Sequence, residues 1–107
     1  MMFSQPNVCS IMGENMDARD VFAEILYELQ SSLTGFYYYH MQHHYYHHKL
    51  IKDGDVDLHR IITTNRSVLE FAIKPDDTID RYEKEGEWVE YVVSRDNNEL
   101  YRIKYFF

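Results

Sequence analysis

Twelve consecutive residues, Tyr37-Tyr38-Tyr39-His40-Met41-Gln42-His43-His44-Tyr45-Tyr46-His47-His48, hold five of the six histidines and five of the ten tyrosines of the chain. Imidazole is the commonest metal ligand and the one side chain that changes charge near neutral pH, so the run can serve as a metal site, a proton switch or a polar aromatic contact surface. The secondary structure decides which. Wound as a helix over 36–52, His40, His43, His44, His47 and His48 share one face about 140° wide, and His40/His44, His43/His47 and His44/His48 are i, i+4 pairs that can each grip one zinc ion.

The spelling His44-Tyr45-Tyr46-His47-His48 is similar to the His-x-x-His-His box of membrane di-iron hydroxylases. That family carries several such boxes and transmembrane helices, whereas this chain has one box and no apolar stretch of membrane-spanning length. The aromatic residues at 36–39, 45 and 46 are poor helix formers, and Gly35 and Asp53-Gly54 bound the segment as strand punctuation does. The strand reading is therefore favoured. It separates His40, His44 and His48 by about 13 Å in successive pairs, too far for one ion. A turn at Asp53-Gly54 then pairs Lys52 with Asp55 and, counting outward, places His48 opposite His59. On this reading only His48 and His59 come close enough to share an ion, with no third ligand beside them; the metal-binding alternative takes His44, His48 and His59 as its ligands, with zinc or another divalent transition metal as the cofactor. Otherwise Tyr37, Tyr39, His43, Tyr45 and His47 form a contact surface for a partner, since tyrosine and histidine give large amphipathic area at low entropic cost.

A second cluster is acidic. Residues 76–90 contain seven carboxylates against Arg81 and Lys84, in a chain whose formal net charge is −7. Asp76, Asp77, Asp80, Glu83, Glu85 and Glu87 are the residues expected to dock a basic partner, the alternative being a solvated edge that keeps the protein dispersed. The same charge balance disfavours direct binding to nucleic acid, because the basic residues are scattered singly beside acidic neighbours. No phosphate loop or nucleophile elbow is present, and Cys9, the single cysteine, excludes an internal disulfide and a cysteine zinc cluster.

These residues need a frame. Residues 1–14 lack periodicity and read as an irregular leader without a visible targeting segment, followed by a single domain over 15–107. Val21, Phe22, Ile25, Leu26, Leu29 and Leu33 recur at helical spacing behind a cap at Asp17, with Gly35 as the terminator. Alternating β-branched and aromatic stretches follow at Val56–Thr63, Val68–Ile73, Trp88–Ser94 and Leu100–Phe106, with a weak strand or turn over Thr78–Lys84. The expected fold is α+β: one N-terminal amphipathic helix packed on an antiparallel β-meander of about five strands. Leu69, Phe71, Ile73, Val89, Tyr91 and Val93 are candidate core residues, while the last strand has apolar residues of both parities. Short, acidic, single-domain and without a catalytic motif, such a chain resembles toxin-neutralising immunity proteins and phage inhibitors of bacterial defence in general character. That character implies a cytoplasmic, non-enzymatic inhibitor that occludes a basic surface of another protein, with self-association as a further use of the aromatic run.

Overall fold

The computed structural model describes residues 7–10, 17–32 and 35–107. Its elements are β1 (Asn7–Ser10), α1 (Ala18–Gln30), β2 (Phe36–Tyr38), β3 (Met41–His43), β4 (Tyr45–Asp53), β5 (Val56–Thr63), β6 (Val68–Ile73), β7 (Thr78–Lys84), β8 (Trp88–Arg95) and β9 (Asn98–Phe106). The α+β class and the N-terminal helix are as expected, but the strands do not form one five-stranded meander. They make two antiparallel sheets, one ordered β1-β7-β8-β9-β2-β3 and one ordered β4-β5-β6. The expected strand over the histidine run is divided into β2, β3 and β4, and two further segments add strands to the large sheet. Asn7–Ser10, within the expected irregular leader, pairs with β7, and Thr78–Lys84 is a full strand between β1 and β8.

The helix begins where its cap predicts: the Asp17 carboxylate accepts the Arg19 backbone N–H at 2.9 Å, filling a donor left open by the first turn. It buries Val21, Phe22, Ile25, Leu26 and Leu29 on one stripe, each burial stabilising by about 1.5–3 kcal/mol. Leu33, the last residue of the expected stripe, lies outside the described residues. The helix ends at Gln30 with Ser31 as its cap, so Gly35 is not its terminator. The helix spans the seam between the sheets. Phe22 meets Phe71 of β6 and His59 of β5, while Glu28 accepts hydrogen bonds from Tyr91 of β8, at 2.8 Å, and Tyr105 of β9. Burial lifts both phenols, that of Tyr91 to about 12, so they stay protonated donors to the carboxylate.

The last strand turns Tyr101, Ile103 and Tyr105 inward, leaving Leu100 and Phe106 on the other side, which settles its parity. Ile103 and Tyr105 join Val89, Tyr91 and Val93 in one core with Phe71 and Ile73 of the small sheet. Phe71 is one contact between the sheets, packing edge-on to Tyr38 and Tyr101 at 5.1 Å. Among the described residues, the helix and the small sheet cover one face of the large sheet. None of the described elements lies over the other.

Candidate functional site

The histidine run is neither one helix nor one strand. Tyr38 pairs with Met41, leaving Tyr39-His40 as a two-residue hairpin loop with positive φ of 49° and 72° at both positions. This is the turn that matches strand twist. His44 then carries the chain from the large sheet to the small one, and β4 completes the run. The crossing is tight. Gly35 has φ of 76°, and a Cβ there would overlap the His43 carbonyl oxygen and lie 2.8 Å from His44 Nδ1. The glycine is needed both for its φ and for this approach.

In β4 one residue is extra: Tyr45 opposes Thr63 and His47 opposes Ile62, leaving Tyr46 bulged. The bulge shifts the strand's phase, so Tyr45 and His48, three apart, face the same way and touch at 6.4 Å between ring centroids. The β4–β5 loop is Gly54-Asp55, one residue further along than the expected Asp53-Gly54 turn. His48 therefore opposes Ile61, and Leu50 opposes His59. The shift preserves parity, which keeps His48 and His59 on one face as diagonal neighbours.

They meet closely. His48 Nε2 and His59 Nδ1 are 3.0 Å apart, with ring planes 23° from parallel and centroids 5.2 Å apart. Such a separation between nearly coplanar five-membered rings is that of an in-line N–H···N hydrogen bond. A metal would need another arrangement: with M–N of about 2.0–2.1 Å, an ion held in line would part the nitrogens by about 4.1 Å. The geometry fits a proton. The third residue of the expected metal set, His44, is exposed at the crossing, and among the described residues no group of three or more His, Cys, Asp or Glu could hold a metal ion.

His59 is 1% exposed, and its Nε2 finds no hydrogen-bond partner among the described residues. That assigns the tautomer. With the proton on Nδ1, His59 donates to His48 and leaves only a bare lone pair buried, whereas a proton on Nε2 would leave an orphaned N–H. Burial, reinforced by the neighbouring His48, pushes the His59 pKa down to about 4, and burial with nearby His47 lowers that of His48. Since the unfolded imidazole binds its proton near 6.5, the unfolded chain is the better proton acceptor between about pH 6.5 and 4. Stability present at neutral pH is lost as pH falls through that window. We expect His59 to contribute about 2–3 kcal/mol of loss between pH 7 and 4.5, measured by urea unfolding against His59→Phe. Two further members of the run turn inward: His43 is buried against Phe36, the partly buried Tyr45 packs on both Phe36 and His48, and burial favours the neutral form of each.

The expected contact residues divide. His43 is buried and Tyr45 faces inward and is partly buried, while His47 is exposed on the far side of the small sheet. Tyr37 and Tyr39 reach the face of the large sheet opposite the helix, where they line a groove of about 290 Å³ with His40, Glu90, Arg102, Lys104 and Phe106. Tyr37 and Phe106 meet edge to face at 5.3 Å, the Tyr39 hydroxyl donates to the Leu100 carbonyl at 3.0 Å, and the Lys104 ammonium lies 4.0 Å over the Trp88 ring. Arg102 bridges Glu90 at 2.7 Å and Glu99 at 2.6 Å. Sequence reasoning missed Trp88, Arg102, Lys104 and Phe106. Their outward parity in β8 and β9 was the available signal.

The acidic cluster is largely spent internally. Asp77 is buried against Arg95, Glu83 pairs with Arg81, Glu87 with Lys84 and Glu90 with Arg102. Asp77 is accordingly no docking residue. Asp76, Asp80 and Glu85 form no ion pair among the described residues, and Asp76 and Glu85 are exposed. No described helix is long and apolar enough to cross a membrane. The chain matches no known protein family, no curated protein and no solved structure.

Proposed function

We propose that the protein acts by binding another protein, without chemistry of its own, through the face of the six-stranded sheet opposite the helix. One observation carries this reading: an aromatic and charged groove, built from β2, β8, β9 and a left-handed hairpin tip, lies on the sheet face that no described element covers. Aromatic residues beside arginine are the composition in which interfaces concentrate their energy. The net charge of −7 selects a partner with a basic surface and steers its approach. The action is then occlusion, as for a small inhibitor.

A partner captured from the native host tests this. Tyr37→Ala with Phe106→Ala should weaken binding at least tenfold by calorimetry while leaving the fold intact, since both side chains lie outside the core. Neutralising Glu83, Glu85 and Glu87 as glutamines should slow association several-fold at low salt and flatten its salt dependence. Unchanged affinity in the aromatic double variant would place the contact elsewhere.

A further inference from the structure

We propose that the His48–His59 pair is a proton-operated latch that holds the first half of β4 onto the small sheet and releases it on mild acidification. The pair joins two strands with very different anchorage. β5 is central, pairing with both β4 and β6, and its His59 is sealed beneath Phe22 of the helix. β4 pairs only with β5 among the described residues, its register is broken by the bulge at Tyr46, and His48 is only half-buried. One end of the latch is therefore fixed and the other can leave.

The bond has room for one proton. His59 Nδ1–H donates to the bare Nε2 of His48, and a second proton on the pair must occupy either that Nε2, facing the Nδ1–H head-on, or His59 Nε2, which has no acceptor among the described residues. Neither form keeps the hydrogen bond and satisfies every N–H. The surroundings do not relieve the charge. The helix and β6 present Phe22 and Phe71 to the pair, and Tyr45 on β4 keeps its proton. Asp57, the carboxylate facing His59, is already held by Lys52 at 3.3 Å, and His47 beside His48 disfavours a charge there. The solution open to the chain is for His48 to swing into solvent as the imidazolium, taking its strand segment with it. The lowered imidazole affinities are what this geometry requires.

Amide hydrogen exchange on the intact protein at pH 7 and pH 5, corrected for intrinsic rates, reads the release directly. Residues 45–50 should lose protection at least tenfold beyond whatever α1, β8 and β9 lose as global stability falls. His48→Gln keeps an acceptor for His59 Nδ1–H but cannot take a proton, so its protection over 45–50 should not change with pH. Nitrogen shifts of the wild-type rings supply a readout independent of any variant: His59 should hold the Nδ1–H tautomer at pH 7. Uniform loss of protection across both sheets, an Nε2–H tautomer at His59, or wild-type pH dependence in His48→Gln would each overturn the latch.

Discussion

Asp77→Ala is expected to lose about 1.5–3 kcal/mol in urea unfolding, the cost of removing a buried carboxylate whose hydrogen bonds hold a partly exposed arginine and a backbone N–H. The Asp77 side chain is wholly buried and accepts three hydrogen bonds: Arg95 Nε at 2.8 Å, Arg95 Nη2 at 2.9 Å and the Lys74 backbone N–H at 2.9 Å. Arg95 Nη2 also donates to the Ala72 carbonyl of β6 at 3.2 Å. The carboxylate therefore fastens the end of β8 to the end of β6 and closes the connection over Pro75 by which the chain passes between sheets. Alanine leaves the guanidinium facing a vacated site and frees the Lys74 N–H. By contrast Glu87→Gln, which breaks a half-exposed pair with Lys84, should stay within about 0.5 kcal/mol. Equal losses in the two variants would mean that the buried pair holds nothing beyond a surface contact.

The second large effect is expected at Gly35. Gly35→Ala meets two costs at once: about 1–2 kcal/mol for a Cβ at left-handed φ, and about 1–3 kcal/mol or more for pushing it into the His43 carbonyl. Neither relaxes independently, because the obstructing atom is backbone in the strand that leads directly into the sheet crossing. Thermal unfolding should fall by several degrees or more, whereas Gly54→Ala, which meets no atom within 4 Å, should incur the φ cost alone. Similar losses at the two glycines would show that the close approach to His43 carries no weight.

The helix and the β5 and β6 strands were legible because cap and alternation agree locally. The division into two sheets was not. It depends on Gly35 yielding to the His43 backbone, on Asp77 finding Arg95, and on β2 adding to the free side of β9, pairings between residues far apart that leave no periodic trace. The His48–His59 contact came out of sequence despite a misplaced turn, since an offset of two residues in pairing retains the face. The inward Tyr45 could not be read, because a bulge inverts the alternation from which facing is inferred. The groove was half visible: the tyrosine run marked Tyr37 and Tyr39, but their neighbours on the sheet come from the other end of the chain.

The hairpin tip of that groove carries a price in stability. Two-residue loops of its kind are best made by Asn-Gly, and Tyr39 and His40 both hold positive φ with a Cβ in place. Tyr39→Asn with His40→Gly would make a sturdier molecule with a blunter groove, stripped of the phenol that reaches Leu100. Thermostability and recognition therefore pull in opposite directions at these two positions, so an optimiser working on stability alone would erase the groove wall first.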